Sequence, residues 1–411
     1  MDTVLLPLFA GIAAGVWLYA RSIPQGGRSW WPLVAATIAL VAVSRLAGHG
    51  WGAMLLAFAA ELVAAALILS RGTPAAAAAA RLFLGAMVAG TAAIATALAL
   101  TGFGTMQPAA PLDKVAVALL MLGFALKLGL VPVYFWLPAV ARASSVMTTA
   151  VIVAVVDVAG FCELLALREA MPWVFEGYAA VWIALALASL LGAGLLALAQ
   201  SELKPMLAFS TIHDMGYLLL GVVLGGPEGM AGAWFAILGH ALGKLVMFGA
   251  VGAAEWHLGA PPTLDTRGLS SSLPVAGAAF MLGALAFVGI PPTVGFLGHW
   301  RLYLAGAELG GPVLLAALFA GSAMGILCYV RAIHRTWLGP AGGTAGGPAL
   351  PRAAAAVLLA FAITPVVLGL VPGAVGVAAP EAAVHATAPD VPPAAVAASL
   401  NTAASVAGGV K

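Results

Sequence analysis

Apolar runs of about twenty residues recur along the chain, separated by short Pro/Gly-rich or polar turns. A run of about 20 apolar residues is long enough to cross a bilayer as a helix. The pattern predicts spans near 3–20, 31–48, 51–70, 81–101, 113–138, 145–167, 178–199, 205–225, 229–256, 273–304, 312–337 and 353–372. The expected fold is therefore an all-α polytopic membrane protein with about 12 transmembrane helices. Turns fall at Pro24-Gln-Gly-Gly27, at Gly225-Gly-Pro-Glu228, at Pro261-Pro262 and in the loose stretch 339–351. The chain starts Met1-Asp2 with no basic stretch before the first apolar run, so that run is expected to stay as a span. Beyond Pro372 the tail is Ala/Pro/Val-rich, suits a short surface helix or no regular structure, and is assigned no chemistry.

Composition sharpens this picture. Hydrophobic residues make up 63% of the 411 and charged ones 8%, with a mean hydropathy of +1.09. Soluble domains carry about 25% charged residues. A net charge of +2 offers nothing to a nucleic acid, and none is expected as a partner. Cys162 and Cys328 lie in different apolar runs, which excludes the paired spacing of iron–sulfur and zinc sites. Arginine and lysine set the orientation. With the N-terminus outside, Arg21, Arg28, Arg71, Arg81, Arg142, Lys204, Arg267, Arg331, Arg335 and Arg352 fall at cytoplasmic ends. Only Arg45, Lys114, Arg168, Arg301 and Lys411 fall outside, and an even number of spans puts both termini there. The expected home is the cell's inner (plasma) membrane.

Two predicted spans are long and interrupted. Lys127-Leu-Gly-Leu-Val-Pro-Val-Tyr-Phe-Trp-Leu-Pro138 places a lysine in a hydrophobic run that Pro132 breaks five residues later. An intramembrane ammonium costs about 3 kcal/mol on insertion scales. Proline removes a backbone donor and clashes with the preceding turn, which opens the helix beside that charge. The run Phe280–His299 is broken in the same way by Pro291 and Pro292 and carries His299 nearby. Two broken helices an odd number of spans apart run in opposite directions, the mark of inverted repeats with an ion site between them. The expected organisation is an N-terminal helix and loop at 1–30, a first five-helix repeat at 31–167, a second at 178–337, and a last helix and tail at 338–411.

The titratable residues deep in spans form a short series: Glu61, Lys127, Asp157, His213, Asp214, His240, Lys244 and His299. Glu61 has no charged neighbour in sequence, and an unpaired carboxylate in hydrocarbon is held neutral. It is expected to face a lysine on another helix, and a Glu–Lys pair that can be made and broken is a proton switch. Asp157 lies among aliphatic residues and is expected to pair across a helix interface or meet a hydrated cavity. His240 and Lys244 are four residues apart, hence on one helix face about 6 Å apart along the axis. His299 follows the second break and suits proton collection or release. Adjacent residues on a helix point different ways, so His213 and Asp214 suit either a relay or bonds between helices. Tyr134 and Trp136 are expected to pack, and Glu163 and Glu255, nearer span ends, to reach for water. Phosphate loops, nucleophile triads and metal spacings are absent from the sequence, so no cofactor and no catalytic or redox centre is expected.

Four stretches resemble the antiporter-like membrane subunits of respiratory complex I and its relatives, the Mrp antiporters, group 4 hydrogenases and formate hydrogenlyases. They are Lys127–Pro138, Glu202–Gly216, His240–Phe248 and Gly289–Phe296, the last two with Thr266-Arg-Gly-Leu269 between them most similar to the hydrogenase-type branch. The resemblance covers roughly 45–335. It implies two inverted five-helix bundles, each with a broken helix, that pass protons along a central axis. It also implies that Glu61 is the essential glutamate, Lys127 its partner lysine and Lys244 the central lysine of the second half. Departures are Asp157 where the family has lysine, Tyr134 for the motif histidine, Ser144 for a proline and His299 for an exit-side glutamate or lysine. The N-terminus is about two spans short of the usual fourteen.

The function this implies is a proton-translocating subunit of a larger membrane complex, with any electron transfer left to other membrane and peripheral subunits. Protons are the expected ion, with sodium as the competitor. Two other readings stay open: the membrane half of an inorganic-carbon uptake system with a zinc-containing soluble partner, and a structural subunit whose pathway Asp157 disables.

Overall fold

A computed structural model describes residues 2–48, 50–102, 111–340 and 347–375, and the tail beyond Pro372 lies mostly outside the described residues. The described residues form helices and connecting loops, with one isolated bridge between Glu202 and Thr263. Twelve of the fourteen main helices are α1 (Asp2–Ser22), α2 (Trp30–Leu46), α3 (Trp51–Leu69), α4 (Pro74–Leu100), α5 (Leu112–Lys127), α6 (Trp136–Ala143), α7 (Val146–Ala170), α8 (Ala179–Leu198), α9 (Leu203–Leu224), α10 (Gly226–Leu258), α11 (Pro274–Phe287) and α12 (Val294–Ala305). The other two are α13 (Gly311–Ala332) and α14 (Arg352–Leu370).

By length and composition, nine helices among the described residues can cross a membrane. One of the nine is the run Val294–Trp337, which joins α12 to α13 through the π-helical turn Gly306–Gly310. Helices α2 and α11 are apolar but shorter. The protein is a multi-pass membrane protein, and each expected span falls on one of these helices or on a pair of them.

Burial sorts the helices into a hub and a rim. Helix α10 is buried along its whole apolar window, α9 nearly so, and α7 over about nine-tenths, whereas the other candidate spans bury less than half of theirs. The hub helix α10 packs against α7, α9, α11, α12 and α14. A helix apolar all round belongs inside a bundle. The hub helices are also those that carry Asp157, His213, Asp214, His240 and Lys244.

The two breaks have one local geometry. Residue for residue, Leu128-Gly-Leu-Val-Pro132 in the first corresponds to Val288-Gly-Ile-Pro-Pro292 in the second. The Leu130 N–H donates to the Ala125 carbonyl at 2.8 Å, and the Ile290 N–H to the Leu285 carbonyl at 2.9 Å. Gly129 (φ +64°) and Gly289 (φ +72°) hold left-handed backbone that a side chain resists. Backbone groups freed at the first break find partners, as they must away from water. Trp136 Nε1 donates to the Leu126 carbonyl at 2.9 Å, and the Val131 N–H donates to Ser189 Oγ at 3.0 Å. Trp136 and Tyr134 otherwise pack on Phe83 and Phe209.

Both breaking helices lie tight against a neighbour at a pair of glycines. A Cβ on Gly123 of α5 would meet the Gly90 carbonyl of α4 at 2.9 Å. A Cβ on Gly283 of α11 would meet the Gly243 carbonyl of α10 at 3.1 Å. Close backbone approach through small residues is how helices pack in lipid. A lysine sits beside each crossing: Lys127 one turn beyond Gly123, and Lys244 next to Gly243.

Candidate ion pathway

The first site forms where α3, α4, α5 and α7 meet. Lys127, the last residue of α5 before the break, points its ammonium at Glu61 Oε1 (2.9 Å) and at Glu163 Oε2 (3.3 Å). Thr91 Oγ1 of α4 donates to the other Glu61 oxygen at 3.3 Å. Lys127 and Glu61 are almost fully buried, with side chains 4% and 5% exposed, whereas Glu163 is 28% exposed. A buried ion pair is stable only where its remaining charge is also satisfied. Here a single ammonium is shared by two carboxylates, and the outer one alone reaches a wetter region.

Glu61 meets a lysine on another helix, as expected of a lone buried carboxylate, and that lysine is Lys127, as the family resemblance implies. Glu163 does not reach for water alone, as its place near a span end suggests; it is the second partner of Lys127. Glu255 likewise turns inward, 3.4 Å from Lys204, whose ammonium also donates to the Ser144 carbonyl at 3.0 Å. A polar residue about two turns from a helix end is within reach of either water or a neighbouring helix. Only the packing of α7 on α5 decides between them for Glu163.

Among the described residues Asp157 lacks a hydrogen-bonded partner across a helix interface, one of the two environments expected for it. It follows the π-helical turn Ile152–Val156 inside α7 and is buried, yet neither carboxyl oxygen has a hydrogen-bond partner among the described residues. Glu61 lies within electrostatic reach of it. Widened π-turns inside α-helices often mark functional positions.

The second site lies between α9, α10, α12 and α13. Lys244 donates to the Leu207 carbonyl (2.9 Å), to Ser210 Oγ (2.5 Å) and to Tyr329 OH (3.0 Å). Its ammonium lies 4.0 Å from the centre of the Phe287 ring. Among the described residues no carboxylate stands within ion-pair distance of it. One turn away on the same face of α10, His240 Nδ1 lies 2.7 Å from Asp214 Oδ2, so the two expected relay residues both address α9 but bind different groups. Asp214 Oδ1 is 4.0 Å from His299 Nε2, beyond hydrogen-bond distance, so Asp214 bonds one histidine and stands near a second. His213 turns away, its Nδ1 2.6 Å from the Leu190 carbonyl. His213, Asp214, Tyr217 and His299 border a cavity of about 10 Å³, close to what one water needs. Ser210, Tyr217, Phe287 and Tyr329 are functional candidates that the sequence reading did not single out. Charge and helix breaks are visible along a chain, but a hydroxyl or ring that meets a lysine from another helix is not.

No group of three or more acidic, histidine or cysteine residues suited to a metal ion occurs among the described residues.

Residues 90–325, more than half of the chain, match the family model described as NADH:quinone oxidoreductase/Mrp antiporter, TM. The NADH-quinone oxidoreductase subunit N of Geotalea uraniireducens is 32% identical over 270 residues, covering 62% of this chain and 57% of that protein. The F(420)H(2) dehydrogenase subunit N of Methanosarcina mazei is 29% identical over 277 residues, 64% of this chain and 55% of that one. The chain thus spans about half the length of the curated relatives it matches. Among solved structures, a chain of the Mrp complex from Dietzia sp. DQ12-45-1b superposes with a TM-score of 0.80 at 22% identity, covering 89% of this chain and 79% of that one. A chain of respiratory complex I from Thermus thermophilus gives 0.71 at 22% identity over 88% of this chain and 84% of its own length, which shows a shared fold. By the family match over 90–325, this chain belongs to the NADH:quinone oxidoreductase/Mrp antiporter transmembrane family.

Proposed function

We propose that the chain is a proton-translocating, antiporter-like subunit of a multisubunit membrane complex in the cell's inner membrane, with both termini outside. One observation carries this reading: a buried lysine at a helix break shared between two carboxylates, Glu61 at 2.9 Å and Glu163 at 3.3 Å. An ammonium that contacts two carboxylates at once can stay with either one when the other is neutralised, which is what a proton switch needs. Names of relatives that are subunits of NADH-quinone and F(420)H(2) oxidoreductases support a partner complex that supplies the driving reaction.

In this reading protons move between the first site and the Asp214–His240–His299 group, with Lys244 between them and Asp157 on the first side. No step requires a cofactor of the chain's own. The matched geometry of the two breaks supports repeats at 31–167 and 178–337, inverted with respect to each other.

The test is Lys127→Met in membrane vesicles that hold the assembled complex. Proton movement, read with an internal pH dye under an imposed gradient, is expected to fall to background while the subunit still co-purifies with its partners. Flux that survives in an intact complex would leave a structural subunit as the reading.

A further inference from the structure

Glu163 stands at the inner end of a cavity of about 420 Å³, against the roughly 10–15 Å³ that a single water occupies. The cavity is lined by Arg45 and Glu169, near the ends of α2 and α7, and by Met54, Ile94 and Phe124. Along α7, Glu163, Ala166 and Ala170 line it at positions three and four residues apart, hence on one face. Glu163 lies seven residues before the end of that helix, about 10 Å inward at 1.5 Å per residue. Its Oε2 is 3.3 Å from Lys127 Nζ, so one side chain touches both the cavity and the buried switch.

We propose that Glu163 is a proton-exchanging group that gives the Glu61–Lys127 pair its own aqueous opening at this end of the bundle. The inference rests on the proton-translocating reading above, and it adds a route that does not pass through the α9–α10 site. A hydronium ion in the cavity gives its proton to the Glu163 carboxylate and leaves water. Neutral Glu163 no longer attracts the ammonium, which stays with Glu61. Once Lys127 has passed a proton onward and stands as an amine, Glu163 returns its own proton across the 3.3 Å contact and is again a carboxylate. Glu169 also lines the cavity, six residues nearer the helix end, but Glu163 is the one carboxylate that both faces the cavity and contacts Lys127 among the described residues.

Vesicles holding the full complex test this with two kinds of variant. Glu163→Gln keeps the shape and an acceptor for Lys127 but cannot exchange a proton. It is expected to lower proton flux roughly 100-fold, the low end for a positioned proton carrier, and Glu163→Asp to restore most of it. Ala166→Cys is expected to conduct normally until a membrane-impermeant, cationic methanethiosulfonate reagent is added from one side, and then to be blocked. Wild type, whose Cys162 and Cys328 are buried, is expected to ignore the reagent. Wild-type flux in Glu163→Gln, or an Ala166→Cys variant that the reagent leaves unblocked from either side, overturns the proposal. Should Glu163→Gln fail to assemble, the Ala166→Cys result decides by itself. If these variants conduct while Lys127→Met does not, only the Glu163 opening is lost; if Lys127→Met also conducts, the proton-translocating reading falls with it.

Discussion

Lys127 and Lys244 are both buried ammonium groups beside a glycine crossing, yet they are held by opposite chemistry. Lys127 sits between two carboxylates. Lys244 rests on a backbone carbonyl, two hydroxyls and the face of Phe287. The correspondence of the two breaks puts Phe287 in the place of Lys127, and the paired glycines Gly90 and Gly243 put Lys244 in the place of Thr91. The cation has in effect changed helices, from the broken one to its straight neighbour. A charge held by charges gives up a proton only when a partner is neutralised. A charge held by dipoles and a ring has no counter-charge to neutralise and can stand as an amine with its hydroxyl partners still bonded to each other. The first site suits a switch and the second a relay.

The largest expected effect is on the first site. Lys127→Met strands two carboxylates around an apolar side chain, and breaking a buried pair in this way costs about 3–5 kcal/mol. Thermal unfolding of the purified complex is the check, and a change near zero would mean that the pair contributes nothing to the fold. Phe287→Leu keeps an apolar side chain of smaller volume over Lys244 but removes the ring face, with an expected loss of about 2 kcal/mol, the value of a desolvated cation–π contact. An unchanged melting curve would show that the ring is only packing.

Lys244→Met is expected to cost about 1 kcal/mol or less, because removing the ammonium also removes its burial cost, which offsets the lost ring contact, and Ser210 and Tyr329 keep their 2.7 Å hydrogen bond. Proton flux should nevertheless drop sharply. Equal destabilisation by Lys127→Met and Lys244→Met would erase the distinction between the two sites. The smallest effect on stability is expected for Asp157→Asn, within about 0.5 kcal/mol, since no hydrogen bond of the carboxyl is lost. If Asp157 carries protons, flux falls in a variant that melts like wild type; full flux would take it off the path.

Much of this was legible along the chain. The helices were, because a membrane span must be apolar for about 20 residues and this chain shows such runs plainly. That Glu61 meets a lysine was too, because a lone charge in hydrocarbon is costly enough to demand a partner; that the lysine is Lys127 was implied by the family resemblance. The same logic failed to name one outcome at Asp157, for which it allowed either a partner across a helix interface or a hydrated cavity; no hydrogen-bond partner of its carboxyl is found among the described residues. It also failed at Glu163, where one position suited both water and a buried lysine.

By itself the sequence determined an all-helical membrane chain, two helices broken at Pro132 and at Pro291-Pro292, and the depth at which each charge lies. These follow from hydrophobicity and from the backbone donor that proline lacks, both properties of local sequence. Tertiary structure alone decided which group each charge meets. Tyr329 reaches Lys244 from 85 residues away and Glu163 reaches Lys127 from 36, contacts set by how helices pack rather than by anything written beside either lysine.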